Sequence, residues 1–344
     1  MSVPLSSNRP AKLQTPFFIG IDVGGTNIKC GIVDAAGQTL VYHAMRTEQE
    51  RGAEDACGRI AETVRGMIEQ AGVARQHVVR AGLATPGPMD IPNGMVLRPG
   101  NLPGWHDFPI RERLSHHLEL PVAFANDANA AAYGEYWCGA GAQFHSLVFL
   151  TLGTGLGGGI IIGDTLVEGE HSCGSECGHI LVNPCPDAWR DSLGKSGSLE
   201  AYTNASAVVR RVEEAIDAGA ASSLAERRQR GEKITPRIVA EEAEHGDEVA
   251  RRAVMDTAHW LANGIISFIH TIDPDAVILG GAMNFGGPSN PLGREFLQRI
   301  RDDVRPRLLE PLRDKVRIEF ASLGGDAGYI GAAGLARLEH RKQR

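Results

Sequence analysis

The 344-residue sequence predicts an α/β protein built as two domains, and three observations lead there. Apolar runs rich in β-branched residues alternate with stretches of helical period. The length exceeds one ordinary domain and suits about two. One plan of strand, glycine-rich turn and strand occurs twice, at residues 19–34 (IGIDVGGTNIKCGIVD) and 150–164 (LTLGTGLGGGIIIGD), once in each half of the chain.

In chain order, residues 1–16 read as a loose tail: Pro4, Pro10 and Pro16 interrupt a polar stretch that lacks the apolar centre of a secretory leader. β-type apolar patterning predicts strands over 17–22, 28–33, 79–84, 122–125, 147–152, 159–162, 276–279 and 316–320. Recurrence of apolar residues every three or four positions predicts helices over 53–71, 110–118, 128–137, 199–215, 236–243, 247–272, 291–309 and 327–339. Residues 210–233 alternate charges with small residues, the pattern of a solvated helix face and loop, and receive no chemistry. The uncharged run 146–163 is long, but its glycines and threonines mark a soluble core segment instead of a membrane span.

Composition narrows the function. A formal charge of −7 denies the chain the basic surface of a nucleic-acid binder. Six cysteines (Cys30, Cys57, Cys138, Cys173, Cys177 and Cys185) are too sparse for a secreted disulfide scaffold and fit a reducing, cytoplasmic compartment.

The two glycine turns are stripped of side chains, so their N–H groups can approach an anion; either turn alone reads equally as an ordinary hairpin, and the pair favours a phosphate chain. In the first, Asp22 ends a strand where it suits Mg²⁺ held through water, and Gly24, Gly25, Thr26 and Asn27 offer donors to phosphate oxygens. Lys29 is a further candidate for the phosphates, though it reads more readily as an exposed strand lysine. The second, Gly153, Thr154 and Gly155 onward, superficially matches a dinucleotide fingerprint, but Ile160–Ile162 continues as strand where that fingerprint opens a helix, which argues against a nicotinamide enzyme.

Between the turns, Asn126-Asp127-Ala128 joins a strand to an alanine-rich helix. Asp127 there suits both a helix N-cap and a general base able to deprotonate a hydroxyl attacking phosphorus. Asn101 in a Pro-Gly turn, Glu176 and His179 in Glu-Cys-Gly-His, and Glu200 at a helix start add polar groups of the kind a neutral sugar requires. Cys173, Cys177, His179 and Cys185 cluster in sequence, but at a spacing that matches no common zinc site. Gly280 and Gly281 end a buried strand and permit close approach of a flat base, or simply turn the chain; Gly324-Gly325-Asp326-Ala327-Gly328 reads as mainly structural.

In this order the segments DVGGTNIK, TPGP, NLPGW, NDANAAA, TLGTGLGGG, ECGH, LEAY, ILGG and GDAGYIGAA resemble the ROK family of bacterial sugar kinases and repressors, and within it the glucokinases. The resemblance runs from about Phe17 to Leu338. It implies an actin-like ATPase (ribonuclease H-like) fold of two α/β domains, 17–123 plus 325–344 and 124–324, around a nucleotide cleft. It also implies ATP and Mg²⁺ as cofactors, a homodimer, Asp127 as base toward the sugar 6-hydroxyl, and Asn101, Asn126, Glu176, His179 and Glu200 around the sugar. Glucose is the implied substrate, with N-acetylglucosamine, mannose, fructose or allose, polyphosphate as donor, and a non-catalytic sugar-binding role left open. The chain departs from the family at one place. Where many members carry C-x-C-G-x-x-G-C-x-E, this sequence has Asp191, Leu193 and Ser198 at the cysteine positions, so the family's structural zinc is expected to be absent and His179 to be oriented by protein hydrogen bonds. A helix-turn-helix module does not fit in the residues before the first strand, so a repressor role is not expected.

Overall fold

The computed structural model describes residues 13–343, so most of the expected tail 1–16 lies outside the described residues. The elements run β1 (Phe17–Val23), β2 (Asn27–Val33), β3 (Thr39–Arg46), α1 (Gly52–Ala71), β4 (Val78–Thr85), β5 (Met89–Asp90), β6 (Met95–Val96), α2 (Ile110–Leu118), β7 (Val122–Asn126) and α3 (Asp127–Cys138). There follow β8 (Ser146–Leu152), β9 (Leu156–Ile162), β10 (Thr165–Leu166), α4 (Leu199–Thr203), α5 (Ala205–Asp217), α6 (Ser223–Gln229), α7 (Pro236–Glu244) and α8 (Glu248–Ile272). The chain closes with β11 (Ala276–Gly280), α9 (Pro291–Val304), β12 (Arg317–Phe320) and α10 (Ala327–Lys342).

Two five-stranded sheets have matching order, β3-β2-β1-β4-β7 and β10-β9-β8-β11-β12, each with an antiparallel glycine hairpin beside parallel strands. The repeat seen in the sequence is therefore a repeat of sheet plan. The parallel strands β4, β7 and β11 are almost wholly buried, as both-face burial in a helix-covered sheet requires. One core packs α1 and α2 on the first sheet through Ile60, Val64, Trp105 and Leu114; another packs α5, α7, α8 and α9 on the second through Val208, Leu261, Ile265 and Phe296.

Helices α3 and α10 lie between these cores and cross at backbone distance. A Cβ at Gly331 would overlap the Ala130 carbonyl oxygen, and one at Gly134 would come within 2.5 Å of the Ala327 carbonyl oxygen. The same helix α10 presses on the first sheet, where Cβ atoms at Gly20 and Gly82 would overlap the carbonyls of Tyr329 and Ala332. Bare glycine is what lets these main chains approach so closely. At the other end of α3, buried Glu135 accepts N–H bonds from Leu323 at 2.7 Å and Ala140 at 2.8 Å, tying α3 to the connection that leads into α10.

Several expected boundaries move. The border placed after residue 123 falls inside β7, which stays paired with β4 to Asn126. The single helix expected over 199–215 is broken at Asn204, whose side chain caps α5 through the Ala207 N–H at 2.8 Å. The helix expected over 291–309 ends at Val304, because Pro306 diverts the chain into a short 3₁₀ turn. Strand β3 was not expected: as an edge strand with no buried residue, TLVYHAMR lacks clean apolar alternation. The stretch 210–233 holds α6, whose Leu224 is fully buried, so it is not only a solvated face. The run 146–163 forms the β8–β9 hairpin, and no helix among the described residues is long and apolar enough to cross a membrane.

Candidate active site

β7 delivers Asn126 and Asp127 to a cavity of about 1060 Å³. The helix cap expected of Asp127 belongs to its neighbour. Asn126 Oδ1 accepts from the N–H groups of Ala128 at 2.9 Å and Asn129 at 3.3 Å, whereas Asp127 is the first helical residue and meets only the Ala128 N–H, at 2.8 Å. With Asn126 filling the cap, the Asp127 carboxylate keeps accepting capacity toward the cavity. Burial pushes its pKa up, against the lowering effect of the Ala128 N–H.

Asp22, at the end of β1, lines the same cavity. Burial, then the negative charge of Asp127, raise it to about 6, while Lys29 pulls the other way. Gly328 leaves the room it needs, since a Cβ there would stand 2.5 Å from Asp22 Oδ2. Two buried carboxylates lining one cavity form a donor set suited to a divalent cation.

The second glycine turn is part of the cavity wall through Gly153, Thr154 and Gly155. It is held from behind by Glu200, a buried side chain whose Oε2 accepts from Leu156 N–H at 3.0 Å and whose Oε1 accepts from Ser192 Oγ at 2.6 Å. A side chain at Gly155 would meet Glu200 Oε2 at 2.6 Å. Glu200, read in the sequence as a polar residue at a helix start, is thus a buried brace that also lines the cavity. Glu176 and His179, set by a 3₁₀ turn over Cys177–His179, line the cavity, as do Gly280 and Gly281. Gly281 has φ +91°, a left-handed conformation that accounts for glycine there.

Not every expected residue reaches the wall. Gly24, Gly25, Thr26 and Asn27 form a tight turn, closed by Gly24 N–H to Asn27 O at 2.9 Å and backed by Thr47, but of the β1–β2 hairpin it is Asp22 that lines the cavity. Lys29 is outside the lining, with its ammonium bonded to the Gly325 carbonyl. Asn101 is exposed and lies against Gly25, while its neighbours Arg98 and Gly100 line the cavity. Conversely, Gly324, Gly325 and Gly328, read as mainly structural, are lining residues, which corrects that reading. Thr151, Asn284 and Lys195 also line it and were missed. Asn284 had a signal, because it follows the strand-ending Gly280-Gly281 pair by three residues.

At the positions of the family's zinc cysteines, Asp191 and Ser198 are buried and hydrogen bonded to each other at 2.8 Å, with Asp191 Oδ2 3.3 Å from His179 Nδ1. Leu193 is exposed. Cys173 and Cys185 are exposed and Cys177 is buried, and no group of three metal-capable side chains gathers among the described residues. The donor set does not fit the zinc site of the family pattern.

The ROK family model matches residues 18–339. The chain belongs to the ROK family. The glucokinase of Halalkalibacterium halodurans is 30% identical over 323 residues, covering 94% of this chain and 96% of that protein. A ROK hexokinase from Thermus thermophilus superposes with a TM-score of 0.80 at 31% identity, covering 95% of this chain and 99% of the other. A ROK family glucokinase from Streptomyces griseus, in complex with glucose and AMPPNP, gives 0.74 at 34% identity, covering 94% and 99%. The ROK chain described here therefore has the actin-like ATPase fold, and the two repeated sheets are its two halves.

One consequence of the paired carboxylates is measurable in this ROK chain. A folded-state pKa of about 6 for Asp22, above the ordinary 3.8, means the native state holds a proton that the unfolded chain has released. Stability from this group is therefore full below pH 4 and lost as pH rises through 6. Asp22→Asn is expected to raise stability at pH 8 by of order 3 kcal/mol in the absence of divalent cation, and by nothing below pH 4. Thermal melts of both proteins across that range check it; parallel curves would show that Asp22 ionises freely.

Proposed function

We propose that this ROK protein is an ATP-dependent hexokinase, with glucose as substrate and glucose 6-phosphate and ADP as products. The observation that carries the reading is the meeting of Asp127, Asp22 and the Gly153–Gly155 turn in one cavity large enough for a sugar and a nucleotide tail. The names of the relatives support it.

In this reading Asp127 accepts the proton of the sugar 6-hydroxyl as that oxygen bonds to the γ-phosphorus, and the bond from phosphorus to the β,γ-bridging oxygen breaks, leaving ADP. Burial favours the task by raising the basicity of the carboxylate. Asn126, Glu176, His179 and Glu200 bind and orient the sugar, and Asn101, outside the cavity lining, would join them only on closure of the two halves. The amides of Gly153, Thr154 and Gly155 receive phosphate oxygens, and Gly280 with Gly281 gives room for the base; Gly24, Gly25, Thr26, Asn27 and Lys29, outside the cavity lining, would reach the phosphates from the other sheet only on closure of the two halves. Mg²⁺, held by Asp22, would neutralise charge on the β- and γ-phosphates. Closure of the two halves, as a homodimer subunit or alone, would exclude water that otherwise competes for the phosphoryl group.

A panel of glucose, N-acetylglucosamine, mannose, fructose and allose with ATP and Mg²⁺, read by coupled ADP release, is expected to give the highest kcat/KM with glucose. Highest turnover with another hexose would change the substrate and keep the chemistry. Calorimetric sugar binding with no phosphorylated product would turn the reading into a sugar-responsive binding protein.

A further inference from the structure

His179 Nδ1 is buried and has no well-aligned hydrogen-bond partner of its own. The nearest candidate is Asp191 Oδ2, at 3.3 Å. A buried ring nitrogen without a partner is costly, which gives this contact a role. The Asp191 carboxylate is itself held on three sides. Its Oδ1 accepts from the N–H groups of Leu193 at 3.0 Å and Lys195 at 2.8 Å, and its Oδ2 accepts from Ser198 Oγ at 2.8 Å. Burial works against its charge, but these donors outweigh burial and hold its pKa below the usual value.

An ionised carboxylate only accepts, and with three donors in place its free capacity on Oδ2 faces the imidazole. The atom it can hold there is a proton on Nδ1. Neutral imidazole carries one N–H, so Nε2 is left bare. On that edge, Glu176 Oε2 stands 3.9 Å away, a second acceptor with no donor between the two. The donor that both lack is a hydroxyl hydrogen. Poor alignment of the Nδ1 contact without substrate is the ordinary condition of such sites, which tighten when the substrate arrives.

We propose that Asp191 is a positioning residue that fixes His179 as the Nδ1–H tautomer and so presents Nε2 to the sugar as an acceptor, with the Asp191–Ser198 pair replacing a structural metal. The loop serves Glu200 as well, since Ser192 Oγ donates to Glu200 Oε1 at 2.6 Å. One turn, residues 191–198, therefore aims two of the sugar-facing side chains. The sugar part of this inference rests on the hexokinase reading; the tautomer does not.

The test is ¹⁵N NMR of histidine-labelled full-length protein at neutral pH, together with sugar kinetics. Wild type is expected to show a bare Nε2. In Asp191→Asn, the backbone donors of Leu193 and Lys195 claim the amide oxygen, which turns the NH₂ toward Nδ1 and should invert the tautomer. Sugar KM is then expected to rise about tenfold or more with kcat changed by less than about threefold, the pattern of lost ground-state binding. Ser198→Ala keeps the carboxylate and is expected to retain the wild-type tautomer, so it decides the matter if the Asn variant does not fold. An Nε2–H or doubly protonated ring in wild type, an inverted tautomer in Ser198→Ala, or a folded Asp191→Asn protein with unchanged tautomer and KM would overturn the proposal. A wild-type protein with the expected tautomer and no sugar phosphorylation would instead sink the hexokinase reading alone.

Discussion

Replacing Asp127 by Asn is expected to lower kcat for sugar phosphorylation by about 10³-fold while leaving the sugar Kd within a few-fold, because a general base contributes roughly 10² to 10⁴ in rate and little to ground-state binding. The variant is a clean one structurally. The cap of α3 is made by Asn126, so removing the charge at 127 does not unravel the helix start. It also has a second signature: loss of the like charge that helps raise Asp22 should bring the Asp22 titration down toward its ordinary range. Single-turnover assays with calorimetry of sugar binding separate the two effects. Unchanged turnover would remove Asp127 from the chemistry.

The largest structural effect is expected from Gly331→Ala. Its added methyl would fall on the Ala130 carbonyl oxygen, which is main chain inside a helix and has no rotamer to escape into. Overpacking commonly costs about 1 to 3 kcal/mol and more where backbone must move. A loss of about 4 kcal/mol is expected here, lowering Tm by roughly 6 °C or preventing soluble expression. Gly66→Ala is the control. Gly66 lies in α1 with nothing within 4 Å of the added methyl, so that change is expected to stabilise by about 0.5 to 1 kcal/mol through helix propensity. Equal melting behaviour of the two variants would mean the α3–α10 crossing is looser than its geometry implies.

How much of this was legible beforehand depended on whether the signal was local. The glycine turns and the strand-to-helix step at Asn126-Asp127 could be read directly, because backbone conformation is written in residues next to one another. The cap was misassigned for the same reason: Asn and Asp are about equally good cap formers, and which of two adjacent residues takes the position is decided by how far β7 continues. Glu200 looked like a residue of an ordinary helix start and proved buried, because its partners, Leu156 and Ser192, arrive from two other segments. The link from Asp191 to His179 spans a loop whose course no periodicity describes. Asn204 was hidden inside an apolar pattern that continues across the break between α4 and α5.

The joint between β7 and α3 has a mechanical meaning. Asn126 is at once the last residue of a strand in the first sheet and the cap of a helix that packs on β8 and β9 of the second. If the two halves swing, this junction is a fulcrum, and points near a fulcrum travel least. The residue immediately after it is Asp127, so in the proposed mechanism its carboxylate would be displaced least by any such swing.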